Sequence, residues 1–225
     1  MSWNTDWDDI FEKNEWGKYP PEDLIRFVAR NYYKAKDRGQ VRILEVGCGP
    51  GANVWYMAQE GFSAYGIDGS RVAIDRAKQR FAKEHLTGHF TVGDILSLPF
   101  EDSFFDAVID IECIYTNSLA DTRKIFSEII RVLKPNGKFY SKAFMVGTAG
   151  EGKGSEGTGE PNTYRNIREG PLSNFAGTQR FISKEDIYRL YSPFTIDSID
   201  YVIRSDNNGQ HEIREHLICC SKKRG

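Results

Sequence analysis

The sequence predicts an α/β fold: a doubly wound, mostly parallel seven-stranded sheet finished by a C-terminal antiparallel β-hairpin. Three observations carry this. Apolar strand-like runs alternate with helical runs over residues 41–143. The first strand feeds a glycine-rich turn that opens a helix, Ile43-Leu44-Glu45-Val46-Gly47-Cys48-Gly49-Pro50-Gly51. Two β-prone runs near the end, residues 194–204 and 211–221, flank the turn-forming Asp206-Asn207-Asn208-Gly209-Gln210.

Each element follows from local chemistry. Residues 1–40 read as a helical arm, in which Trp3, Trp7, Phe11, Trp16 and Tyr19 precede Pro20-Pro21-Glu22-Asp23. Proline followed by acids is a good helix start. Leu24, Ile25, Phe27 and Val28 supply that helix's apolar face. Residues 41–46 form a strand, 52–60 a helix ended by Gly61, and 63–67 a second strand stopped by Asp68-Gly69. Ser70 caps a helix over 72–84. Residues 90–92 are a third strand followed by Gly93-Asp94, and 105–111 a fourth, strongly apolar one. A helix over 119–133 stops at Pro135-Asn136-Gly137, and a fifth strand covers 138–143.

Residues 147–175 break the pattern. The glycine-dense stretch from Gly147 to Glu160 has little to bury, so it is expected to be mobile, either a working loop or an inert linker. Ser183 before Lys184-Glu185-Asp186 makes a capped helix start, and that helix ends near Tyr191, ahead of Pro193. The whole reads as one domain over residues 1–225: an arm or lid (1–40), a binding core (41–145), a flexible insertion (146–180), and a closing helix and hairpin (181–225).

Composition narrows the function. With 40% hydrophobic residues, 28% charged residues and a net charge of -2, the chain has no global basic field for nucleic acid or anionic lipid. No apolar run approaches the ~20 residues of a membrane span. The N-terminus lacks the cationic start and apolar stretch of a secretory leader, so a cytoplasmic protein is expected. Cys48, Cys113, Cys219 and Cys220 show no metal-ligand spacing, and no metal is expected.

The glycine turn carries the sharpest chemistry. A dinucleotide turn reads Gly-x-Gly-x-x-Gly and presents a helix N-terminus to a pyrophosphate. Here the spacing is Gly-x-Gly-x-Gly, with Glu45 just before it. A carboxylate there repels pyrophosphate and suits a ligand bearing an ammonium and a sulfonium. The turn spacing therefore speaks against a nicotinamide oxidoreductase.

Together with Gly66-Ile67-Asp68-Gly69-Ser70, Gly93-Asp94-Ile95-Leu96, Phe105-Asp106-Ala107-Val108-Ile109-Asp110 and Leu133-Lys134-Pro135-Asn136-Gly137, this turn resembles a class I S-adenosylmethionine-dependent methyltransferase of small-molecule type. The resemblance implies a Rossmann-like sheet with S-adenosylmethionine as cofactor. It implies that Glu45, Gly47, Cys48, Gly49 and Gly51 hold the amino-acid end. Asp68 and Gly69 would hold the ribose, Asp94 and Ile95 the adenine, and Asp110 and Ile111 would lie beside the methyl-donor half. An aminopropyltransferase on the same fold, or a binding module without turnover, remain alternatives.

Methyl transfer needs a general base only where the acceptor must lose a proton. Asp110, Glu112, Glu160, His211 and His216 are the candidates, with Asp110, Glu112 and His211 foremost. The run after the fourth strand, Asp110-Ile111-Glu112-Cys113, lacks the Asp/Asn-Pro-Pro-aromatic pattern of nucleic-acid amine methyltransferases. Cys113 does not follow a proline, unlike a pyrimidine-methylating nucleophile. A small-molecule acceptor, methylated on oxygen or nitrogen, is therefore expected. Trp16, Tyr19, Tyr164, Arg165 and Arg168 are its candidate contacts, the arginines suited to a carboxylate or phosphate. Trp3 and Trp7 are expected to serve packing.

Overall fold

The computed structural model describes residues 6–156, 159–170, 172–173 and 177–223. Helices α1 (Asp6–Lys13) and α2 (Glu22–Tyr32) lead into β1 (Arg42–Val46), α3 (Ala52–Gln59), β2 (Ser63–Asp68), α4 (Arg71–Lys83) and β3 (His89–Val92). Next come β4 (Phe105–Ile111), α5 (Leu119–Val132) and β5 (Leu133–Phe144). Short strands β6 (Ser155–Glu156), β7 (Thr163–Arg165) and β8 (Thr178–Arg180) precede α6 (Lys184–Leu190), β9 (Phe194–Asp206) and β10 (His211–Lys222).

The main sheet has seven strands in the order β3-β2-β1-β4-β5-β10-β9. Strands β1 to β5 pair in parallel, and β10 runs antiparallel to both β5 and β9. This is the expected Rossmann-like arrangement. Alternation along the strands explains its two covered faces: Ile43 packs with Phe27, Val54 and Met57, whereas Leu44 joins Ile125, Phe126 and Ile129 from α5. Parallel strands need such cover, because the connections that make them parallel lie on both faces.

Helix ends are set by the hydroxyls the sequence offers. Ser70 and Ser118 accept hydrogen bonds from the amides of Ala73 and Asp121, and Ser183 forms a full capping box with Asp186. The Pro135-Asn136-Gly137 stop falls inside β5 as a bulge: Phe105 stands opposite Leu133, but Ala107 stands opposite Lys138. Asn136 takes a φ of 63° there. Among the described residues, no helix is long and apolar enough to cross a membrane.

The insertion departs from the expected structureless loop. β6, β7 and β8 form a small antiparallel sheet, pairing Ser155 with Arg165 and Thr163 with Arg180. Thr163 and Ile167 are buried. Part of the glycine density serves close backbone contact rather than freedom. A Cβ on Gly150 would lie 2.5 Å from the Glu169 carbonyl, and one on Gly170 2.5 Å from the Ala149 carbonyl. Contacts of that kind are invisible to composition, which is why the stretch reads as loose. Trp3, expected to pack, lies outside the described residues.

Gly150→Ala should therefore loosen the small sheet. Amide exchange at Tyr164 and Gln179 should accelerate at least tenfold, measured by mass spectrometry. Gly17→Ala, whose added Cβ meets nothing within 4 Å, should leave those amides protected.

Candidate active site

Strand β1 lies between β2 and β4, so the chain leaves it in both directions and the carboxyl ends of β1 and β4 open a crevice. A cleft of about 860 Å³ fills this crevice. Its floor is the turn after β1. The amides of Gly47 and Cys48 both donate to the Ile67 carbonyl, at 2.8 and 3.1 Å, and the Gly49 amide donates to Asp68 Oδ2 at 2.8 Å. Only glycine fits at position 47, where φ is 67° and a Cβ would lie 2.1 Å from Cys113 Sγ.

Glu45 sits beneath that turn, 2% exposed. Asn53, in the first turn of α3, donates to its Oε1 at 2.5 Å, while Oε2 is buried without a hydrogen-bond partner. Burial pushes its carboxyl up to about 8, against the Asn53 hydrogen bond. Asp68 is also raised by burial, opposed by the amides of Ser70 and Gly49, which it accepts at 2.8 Å each. In Asp94, Oδ1 accepts from the Leu96 amide at 2.9 Å, an Asx turn that leaves the residue on the cleft wall.

The cleft brings together most of the residues expected at the donor end: Glu45, Gly47, Cys48, Gly49, Asp68, Gly69, Asp94, Ile95 and Ile111. Gly51 does not line it; an added Cβ would face Ala77 and Phe90 at the back of the turn. Asp110 does not line it either. Its Oδ1 accepts from the amides of Cys113 and Ile114, both at 3.0 Å, and its Oδ2 from the Ser141 hydroxyl at 2.7 Å. Burial raises its carboxyl to about 6. Asp110 thus braces the segment after β4 from inside the protein.

The arm forms one wall. Trp7 stacks on Phe11 with ring centroids 5.7 Å apart, and Phe11 meets Trp16 edge-on at 5.1 Å. All three line the cleft, and the Phe11 ring covers Gly49. Ser70 donates to Asp8, and Arg76 donates to the carbonyls of Glu12 and Asn14, so the arm is pinned to α4. Trp7, expected only to pack, is a wall residue. Tyr19 is 72% exposed and packs edge-on against Trp55 outside the cleft.

At the other end the walls are Glu112, Cys113, Tyr115, Phe144, Arg165, Arg204 and Ile213. Arg165 donates to Thr178 Oγ1 at 3.1 Å. Tyr164 packs near Phe181 instead, and Arg168 is exposed; neither lines the cleft. Of the base candidates, only Glu112 faces in. His211 lies 3.1 Å from Asp206 at the hairpin turn, His216 is buried off the cleft, and both Glu160 oxygens accept from the Leu119 amide. Asn53, Arg204 and Ile213 were missed in the sequence, where they look like ordinary helix and strand residues; only the sheet order brings them here.

Residues 43–137 match a family model described as a methyltransferase domain. Over that stretch, somewhat under half of the chain, the protein is similar to methyltransferase domains. A sterol 24-C-methyltransferase of Gibberella zeae is 37% identical over 125 residues, covering 52% of this chain and 32% of that protein. Norajmaline N-methyltransferase of Rauvolfia serpentina is 34% identical over 119 residues, covering 51% and 39%. The chain thus spans less than half the length of these curated relatives. A solved S-adenosylmethionine-dependent methyltransferase of Methanosarcina mazei superposes with a TM-score of 0.71 at 23% identity, covering 84% of this chain and 94% of that one. That structure shares the methyltransferase fold with this chain.

One end of the cleft fits S-adenosylmethionine, the cofactor that the resemblance implies. A buried carboxylate oxygen without a donor, below a turn cleared of side chains, is what an ammonium group would complete. Burial favours the protonated form of Glu45 in the free protein, and a cation beside it lowers its affinity for the proton. Binding of S-adenosylhomocysteine should therefore release close to one proton at pH 7, and affinity should rise from pH 6 to about 8. Titration calorimetry in buffers of different ionisation enthalpy reads this, and Glu45→Gln should remove the linkage.

Proposed function

We propose that this chain transfers the methyl group of S-adenosylmethionine to an oxygen or nitrogen of a small-molecule acceptor. One observation carries the reading: a single cleft joins the Glu45–glycine-turn floor to a second, partly apolar end that holds an inward-facing carboxylate. The bound cofactor supplies an electrophilic methyl on a sulfonium. The chain's own residues bind, orient and exclude water, and alignment of that kind accounts for much of the rate in such displacements.

In this reading Glu45, Gly47, Cys48 and Gly49 take the amino-acid end, with Gly51 shaping the turn from behind. Asp68 takes the ribose hydroxyls. Its two oxygens already accept backbone amides, and each keeps a further lone pair for a ligand. Asp94 and Ile95 flank the adenine, and Ile111 closes the cleft beside the reacting methyl. Asp110 holds Cys113 and Ile114 in place rather than touching the ligand. Trp7, Phe11 and Trp16 shield the donor from water. Tyr115, Phe144 and Ile213 form an apolar seat for the acceptor, and Arg165 stands where it would meet an anionic group on it.

The curated relatives support a small molecule as acceptor, since their names give a sterol and an alkaloid. Those names also give carbon and nitrogen as methylated atoms, so the atom here is argued from Glu112. Titration with S-adenosylmethionine, S-adenosylhomocysteine and NAD tests the reading, which requires binding of the first two and none of NAD. Asp68→Ala should weaken S-adenosylhomocysteine binding by ~1–3 kcal/mol, the range for a lost charge-assisted hydrogen bond. Unchanged affinity in the folded variant removes Asp68 from the ribose.

A further inference from the structure

Behind the acceptor end lies a buried charge cluster that the donor site does not use. Lys142, on β5, is 7% exposed, and its ammonium stands 3.3 Å from Glu215, 3.5 Å from Asp23 and 3.7 Å from Glu112. Glu215, on β10, is fully buried, and neither of its oxygens makes a hydrogen bond. Arg204, on β9, approaches it at 3.6 Å from the cleft side. Three carboxyl groups thus face two cations. An unbalanced negative charge in a buried cluster is costly, and one proton relieves it.

Register explains the assembly. Phe144 stands opposite Glu215 and Val202 on its other side, so Lys142 and Arg204 are its diagonal same-face neighbours. Glu112 immediately follows β4, and its amide donates to the Lys142 carbonyl at 3.0 Å. Its φ of 56° is unusual for a residue that is not glycine, asparagine or aspartate. That backbone turns its side chain to the cleft while its carboxyl stays beside Lys142. Of this cluster, Glu112 and Arg204 reach the cleft.

We propose that Glu112 is the general base that takes the proton from the acceptor O–H or N–H, with Glu215 and Lys142 positioning and charging it from behind. The proposal rests on the methyltransferase reading. The acceptor's lone pair forms the bond to the methyl carbon as the carbon–sulfur bond breaks. That bond's electrons stay on sulfur, giving the neutral thioether, and the acceptor proton passes to a Glu112 oxygen. From there the proton is shared with Glu215 and leaves through the open cleft. The acceptor is therefore a protic one, an alcohol, phenol or amine.

The groups facing Glu112 set its charge. Burial and the neighbouring Glu215 push its carboxyl up to about 8, while Lys142 and Arg204 pull the other way. Asp23 on α2 competes for Lys142, and Tyr115 lies on the adjoining turn. The pair titrates as a unit, with Glu215 the member kept low against its burial, first by Glu112 and then by the two cations.

The first test needs no acceptor. Infrared difference titration of the Glu45→Gln protein, which lacks the other carboxyl raised to about 8, should show a neutral carboxyl stretch lost as pH rises through about 8. Glu112→Gln added to that background should erase it. Glu215→Gln should move the loss to lower pH, and Arg204→Met, half exposed and safe to fold, should move it higher. Absence of the band, or its survival in Glu112→Gln, overturns the proposal. The second test incubates [methyl-³H]S-adenosylmethionine with a low-molecular-mass cell extract. Wild-type transfer should rise with pH through about 8. Glu112→Gln should lose 10²–10⁴-fold of it, the range for a general base, with S-adenosylhomocysteine affinity kept. Equal transfer by Glu112→Gln overturns the base role. Loss of S-adenosylhomocysteine binding by the wild type, or no labelled product from it, sinks the methyltransferase reading and leaves the infrared result standing.

Discussion

The site hangs on the tip of β2. The Ile67 carbonyl accepts two consecutive amides of the glycine turn, and the Asp68 carboxylate accepts a third. These three bonds curl residues 47–49 into a concave floor whose amides are otherwise orphaned at a strand end. The curl leaves no room for a side chain at 47, because Cys113 from the end of β4 fills the other side. Two neighbouring strand ends are thus locked through one turn. Glu45 is then trapped below it, where the Asn53 side chain donates to Oε1.

This dependence explains what was legible from sequence. The strand tips β1, β2 and β3 carry their chemistry locally, since an acid at or within two residues of each strand end lines the crevice. Glu45, Asp68 and Asp94 could be read for that reason. Asp110 could not, because the backbone after β4 turns inward and spends its carboxylate on Cys113, Ile114 and Ser141. Two residues further on, Glu112 faces the cleft. The difference lies in a single left-handed φ, which nothing in the composition of that stretch announces.

The far end of the cleft was less legible because it is assembled from distant parts. Arg204 and Ile213 come from the hairpin, Arg165 from the insertion and Phe144 from the end of β5. None of these lies in the matched stretch of residues 43–137. The hairpin's register decides that Glu215 points to Lys142 rather than to the opposite face, and a one-residue slip would reverse it. The insertion was misread for a related reason. Glycine lowers burial in any count of composition, yet at Gly150 and Gly170 it lets two backbones touch.

The two ends of the cleft hold buried carboxyls with opposite needs. Among the described residues Glu45 Oε2 has no hydrogen-bond partner, and on the proposed reading a bound ammonium would complete it. Glu112 lies 3.7 Å from Lys142, and burial with the neighbouring Glu215 raises its affinity for a proton. On the proposed reading, one end is satisfied by binding and the other by reaction. On that reading the floor that carries Glu45, Asp68 and Asp94 would also favour a cationic donor over the neutral thioether left behind. Loss of the sulfonium charge weakens that attraction at the moment Glu112 gains its proton, so the same chemistry that completes one carboxyl loosens the hold of the others.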